Sequence, residues 1–101
     1  MHKTGEKMII HIVRNEIRPG TAEPYTEAAR DFMAYVKENC PGCLSARVLQ
    51  DTENENIIAN LIEWEDMDSL KAHLSGDALS RFVDRLGPYF AGNSVEIYTV
   101  Q

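Results

Sequence analysis

Trp64 and His73 stand nine positions apart in Ile62-Glu63-Trp64-Glu65-Asp66-Met67-Asp68-Ser69-Leu70-Lys71-Ala72-His73, and they are the residues of this chain best suited to act on a small aromatic molecule. Trp64 is the only tryptophan, and its indole offers a flat apolar surface with one N–H donor. His73 offers an imidazole that exchanges a proton near neutral pH, as a general base or as a hydrogen-bond donor to a substrate oxygen. The competing reading is structural. His73 follows Leu70 by three residues and precedes Leu74, so it borders the apolar face of its helix and can simply pack beside Trp64.

His11 and Asn60 extend the set. His11 sits mid-strand and shares a face with Ile9 and Val13 by alternation. An imidazole among aliphatic residues is either a hydrogen-bonded core group or an acid or base lining a cavity. Asn60 interrupts the most apolar strand on the face of Ile58, Ile62 and Trp64, so its amide must find partners or line a polar pocket. If strand one pairs in the matching register, Asn60, Trp64 and a histidine surround one cavity.

Cys40-Pro41-Gly42-Cys43 leaves a turn and a redox pair as readings, with the turn favoured because Pro-Gly is ordinary helix-to-strand chemistry. A zinc site needs two more ligands, and the sequence has no second Cys pair or close His pair. No metal is therefore expected. Glycine-rich phosphate loops, nucleophile elbows and dinucleotide fingerprints are absent from the sequence, so no nicotinamide or flavin of the usual type is expected either. Of the other polar aromatics, Tyr25 belongs to a helix stripe and reads as core, whereas Tyr89 with Phe90 is placed to cap a pocket mouth. Arg14, Glu16 and Arg18 read as a solvated edge.

The elements that must position these residues are legible in the periodicity. Met8 to Ile17 reads as a β-branched strand ended by Arg18-Pro19-Gly20. Thr21 is the expected cap of a helix that tolerates Pro24 in its first turn and carries Tyr25, Ala28, Ala29, Phe32 and Val36 as one apolar stripe. Leu44 to Leu49 and Ile57 to Trp64 read as strands joined by the polar run from Asp51 to Asn56. Asp66 is expected to cap a short helix with Met67, Leu70 and Leu74 on one face. Ser75-Gly76-Asp77 separates it from a helix with Leu79, Phe82, Val83 and Leu86 in line, which Gly87-Pro88 ends. Val95 to Val100 is the last strand.

This order, βαββαβ, predicts an α+β, ferredoxin-like domain: a four-stranded antiparallel sheet with helices on one face. Strands one and three are apolar on both faces, and the helices can cover only one. A second copy of the sheet is the expected cover, giving a homodimer with sheets packed face to face.

Size and charge narrow the class further. A chain of 101 residues suits one domain, here residues 8–101, with residues 1–7 as a loose polar tail. The formal charge of −6 opposes nucleic-acid and anionic-membrane partners. No apolar run has the length of a membrane span or a signal-peptide core, so the expected compartment is the cytoplasm.

With these features in order, the chain resembles the antibiotic biosynthesis monooxygenase domain family. The residues that carry the resemblance are Arg18-Pro19-Gly20, Pro41-Gly42-Cys43-Leu44, Trp64 with His73, and Gly87-Pro88, spread from about Met8 to Val100. The resemblance implies a dimeric α+β barrel with a cavity between sheet and helices, and oxidation of quinols or polycyclic phenols by molecular oxygen without metal or flavin. It places Trp64 on the pocket wall and His73 as orienting or deprotonating group; Asn60 and His11 are pocket candidates from the residues themselves. Family members commonly carry a glutamate two residues before the tryptophan; here that position is Ile62, and Glu63 should point to the opposite face. The haem-degrading branch uses an asparagine where this chain has Val13, which disfavours that activity. The expected function is thus cofactor-independent oxidation of a quinol-like aromatic, the alternative being a non-catalytic dimeric barrel that binds a small hydrophobic ligand.

Overall fold

Alternation decides which way each strand faces. In the computed structural model, which describes residues 6–101, β1 spans Ile9–Ile17 and buries Ile9, His11, Asn15 and Ile17 on one side, while Arg14 and Glu16 on the other side are exposed. β3, Ile57–Trp64, buries Ile58, Asn60, Ile62 and Trp64 on the same side. The remaining elements are α1 (Ala22–Asn39), β2 (Cys43–Gln50), α2 (Met67–Ser75), α3 (Ala78–Leu86), a 3-10 turn at Gly87–Tyr89 and β4 (Phe90–Thr99). The sheet order is β2-β3-β1-β4 with every pairing antiparallel. This is the expected ferredoxin-like α+β fold. The expected loose tail falls largely on residues 1–5, which lie outside the described residues. No described helix is long and apolar enough to cross a membrane.

α1 forms the lid of the core. Tyr25, Ala28, Ala29, Phe32, Met33 and Val36 are all buried, so the stripe read from the sequence is the face that meets β2 and β3. Two small alanines within it let the helix approach the sheet closely, and Phe32 fills the space towards Phe82 of α3, with ring centroids 5.1 Å apart. Residues at i, i+3, i+4 and i+7 lie on one side of a helix, which is why this spacing buries as a unit.

Local details differ from the sequence reading at three points. Thr21 occupies the position before α1 but makes no capping bond; its hydroxyl donates to the Arg18 carbonyl at 2.6 Å and closes the preceding turn instead. β4 begins at Phe90, not Val95, because the 3-10 turn at Gly87–Tyr89 reverses the chain within three residues and Ile17 pairs with Phe90 at once. The apolar lines on α2 and α3 are only partly covered: Leu70 and Leu86 are buried, while Leu74, Leu79 and Val83 are exposed. By contrast, Asp66 caps α2 as expected, its carboxylate accepting from the Ser69 N–H at 2.8 Å.

Candidate functional site

Three elements bring the aromatic and imidazole groups together. Ile9 pairs with Trp64 and His11 with Ile62, so His11 and Trp64 lie in neighbouring rows on the helix-covered side of the sheet. The Asp66 cap starts α2 immediately after β3, and about two turns later the helix carries His73 back over the indole. The ring centroids of Trp64 and His73 are 5.0 Å apart at 34°, and those of His11 and His73 are 6.3 Å apart at 64°. Trp64 and His11 are almost completely enclosed, whereas His73 is half-buried.

Hydrogen bonding sets the protonation of this corner. The Trp64 indole N–H donates to His11 Nδ1 at 3.3 Å. His11 Nδ1 must therefore carry a free lone pair, which places the proton of the neutral ring on Nε2. Burial, and secondarily the charge of a protonated His73, lowers the His11 pKa from 6.5 to about 4. Burial lowers the His73 pKa as well. Both imidazoles are consequently uncharged at neutral pH, and His73 is in the form that accepts a proton. Its Nδ1 lies 3.5 Å from the Cys40 thiol, a contact across 33 residues that joins the end of α1 to α2.

The far side of His73 faces solvent through a cleft of about 150 Å³ between α1 and the α2–α3 junction, lined by Tyr35, Cys40, Pro41, Ser69, His73 and Asp77 among others. A wider cleft of about 270 Å³ runs beside Met67, Ile9 and Thr99, bordered by Glu6, Lys7, Asp66 and Asp68. It contains none of the residues singled out for chemistry, and size alone gives it no role.

Asn60 stands apart from this corner. It shares the covered face of β3 with Trp64, as the alternation requires, but four residues away, about 13 Å along the strand. It is buried opposite Val13, and its Oδ1 has no hydrogen-bond partner among the described residues. An unpaired buried carbonyl of this kind costs about 1–3 kcal/mol. Glu63 lies opposite Ser45 on the other side of the sheet, accepts from the Ser45 hydroxyl and approaches Arg47 at 3.9 Å, so it takes no part in the corner. The Cys40–His73 contact was not visible in the sequence, because no local spacing links the two residues.

A ferredoxin-like sheet with an enclosed tryptophan at the end of its third strand and a histidine folded back over it defines a recognisable class of small α+β proteins. The family model for antibiotic biosynthesis monooxygenases matches residues 8–85, and the chain belongs to this family. A solved structure from Caulobacter crescentus, provisionally named as an antibiotic biosynthesis monooxygenase, is 27% identical over 95% of this chain and 92% of its own, with a TM-score of 0.84. SnoaB, a cofactor-independent oxygenase from Streptomyces nogalater, shares the fold at 15% identity, covering 94% of both chains with a TM-score of 0.80. A conserved protein from Methanosarcina mazei is similar at 22% identity over 92% of both chains, with a TM-score of 0.79. Among curated proteins, no relative matches the chain.

Proposed function

We propose that this protein is a cofactor-independent monooxygenase that oxidises a quinol-like phenol with molecular oxygen, with His73 as the base and the buried Trp64 as the aromatic platform behind it. The observation that carries this reading is the half-exposed His73 imidazole that rests, tilted, on a buried indole and lines a cleft. Membership of the monooxygenase family and the shared fold of SnoaB support it.

His73 takes the phenolic proton, leaving an electron-rich anion in the cleft beside its ring. The anion passes one electron to oxygen, and the two radicals recombine at a ring carbon that carries hydrogen. The resulting peroxide anion takes the proton back from His73, and the hydroperoxide so formed loses water, as the ring C–H and the O–O bond break, to give the quinone. One phenol and one oxygen molecule thus become one quinone and one water. His11 acts through Trp64: by accepting the indole N–H it fixes the plane on which His73 rests.

The proposal includes a homodimer formed through the sheet face away from the helices. Ile10, Ile12 and Leu61 lie half-buried there, and Leu49 and Tyr98 are exposed. Exposed apolar area of this kind is more often an interface than a free surface.

Oxygen uptake with a panel of phenols and quinols, using isotopically labelled oxygen, tests the activity. One labelled atom in the quinone is the expected result. Ligand-dependent quenching of Trp64 fluorescence with no oxygen uptake would instead establish a binding protein.

A further inference from the structure

Cys40 and Cys43 offer a chemistry that oxidation of a phenol does not use. The Cys43 N–H donates to the Cys40 carbonyl at 3.2 Å, and Gly42 sits at φ +85°, so Pro41 and Gly42 form the centre of a type II turn. The outer residues of such a turn have Cα atoms within about 7 Å, and disulfides span Cα separations of about 4.4–6.8 Å. The turn is held from a second direction: the Glu65 N–H donates to the Gly42 carbonyl at 2.8 Å, and a Cβ at Gly42 would lie 2.0 Å from the Ser69 Oγ. Both cysteines are free thiols, both are half-buried, and Cys40 lines the cleft.

Burial raises the pKa of each thiol, Asp77 adds to the effect at Cys40, and Lys37 works against it at Cys43. Neither sulfur is therefore a spontaneous thiolate, and reaction needs a proton acceptor. His73 Nδ1, 3.5 Å from the Cys40 sulfur, is that acceptor. Among the described residues no group of three or more His, Cys, Asp or Glu side chains is placed to hold a metal ion.

We infer that Cys40 and Cys43 form a reversible dithiol–disulfide pair that reacts with a hydroperoxide admitted to the His73 cleft. Cys40 gives its proton to His73, and its sulfur attacks the outer peroxide oxygen. The O–O bond breaks, an alcohol (water, from hydrogen peroxide) leaves with the returned proton, and Cys40 becomes a sulfenic acid. The Cys43 sulfur then attacks Cys40, an S–S bond forms and water leaves. Two thiols and one hydroperoxide become one disulfide, one alcohol and one water, with two electrons passing from sulfur to oxygen. Closing the bridge draws the Cys40 sulfur away from His73, whose ring rests against Trp64, so the indole reports the state of the pair. This chemistry stands whether or not the site turns over a phenol.

The test treats the reduced full-length protein with stoichiometric hydrogen peroxide. The expected product is a single chain lighter by two hydrogens, with no free thiol and a shifted Trp64 emission, all restored by dithiothreitol. Cys43→Ser is expected to stop at a sulfenic acid on Cys40 that dimedone traps, and His73→Ala to slow bridge formation. Thiols that stay free, bridges between chains, or sulfinic acids on both cysteines would overturn the inference. A bridge that leaves Trp64 emission unchanged would overturn its coupling to His73.

Discussion

His11 has an isoleucine on either side of it in the sheet, and the two meet opposite fates. Ile62 on β3 and Ile97 on β4 occupy the same row and face the same way, yet Ile62 is 2% exposed and Ile97 is 43% exposed. The next row repeats the pattern, with Val13 between buried Asn60 and exposed Val95. The difference lies above the sheet. α1 packs over β2 and β3 and α2 over the end of β3, whereas no helix packs extensively on β4. The covered half can therefore fix an indole and two imidazoles to within hydrogen-bonding geometry. The open half leaves the apolar side chains of Val95 and Ile97 exposed.

Each consequence of this contrast can be measured. Trp64→Ala removes the largest side chain of the covered half and leaves His11 Nδ1 without its donor; a loss of about 3–5 kcal/mol is expected in urea unfolding followed by circular dichroism. A loss below 1 kcal/mol would mean that the corner is not tightly packed.

Acid should act on the same half. In the folded protein His11 titrates at about 4, against 6.5 when unfolded, so between these values the unfolded chain binds more protons. Stability is fully present above pH 6.5 and falls as the pH drops towards 4, by about 3 kcal/mol for His11 alone. The lowered pKa of His73 adds to this in the same direction. Urea midpoints measured across that interval check the slope, and His11→Phe should flatten it.

The pair of isoleucines gives the contrast its sharpest form. Ile62→Ala is expected to cost about 2–5 kcal/mol, and Ile97→Ala within about 0.5 kcal/mol at concentrations low enough to keep the chains apart. Equal losses would show that β4 is covered within a single chain. The effect expected to be smallest on the fold concerns the outer face: Leu61→Asp should leave the circular dichroism spectrum unchanged while halving the mass seen by light scattering. A wild-type protein that runs as a single chain at micromolar concentration would contradict the homodimer.

The covered half was also the more legible in the sequence. Strand alternation placed Asn60 with Trp64 on one face of β3 and His11 with Ile9 and Val13 on one face of β1, and helical spacing assigned the core stripe of α1, because both follow from covalent geometry. The Asp66 cap and its distance to His73 were readable for the same reason. Register was not: pairing of Ile9 with Trp64 depends on how the strands meet, and that put His11, but not Asn60, at the indole. The exposure of Leu79 and Val83 was equally hidden, since apolar spacing marks a face to be covered without saying by what. The early start of β4 escaped notice because Phe90 to Ser94 lack the β-branched run that marks a strand. Cys40 beside His73 is a long-range contact with no local signature.

The central claim is that His73 is the base. The direct measurement is oxygen uptake by His73→Ala beside wild type on the phenol that wild type oxidises fastest, with binding followed in parallel by Trp64 quenching. The account predicts a fall in turnover of at least about a hundredfold with binding retained, since a positioned general base contributes about 10²–10⁴-fold. Turnover equal to wild type in His73→Ala would contradict it.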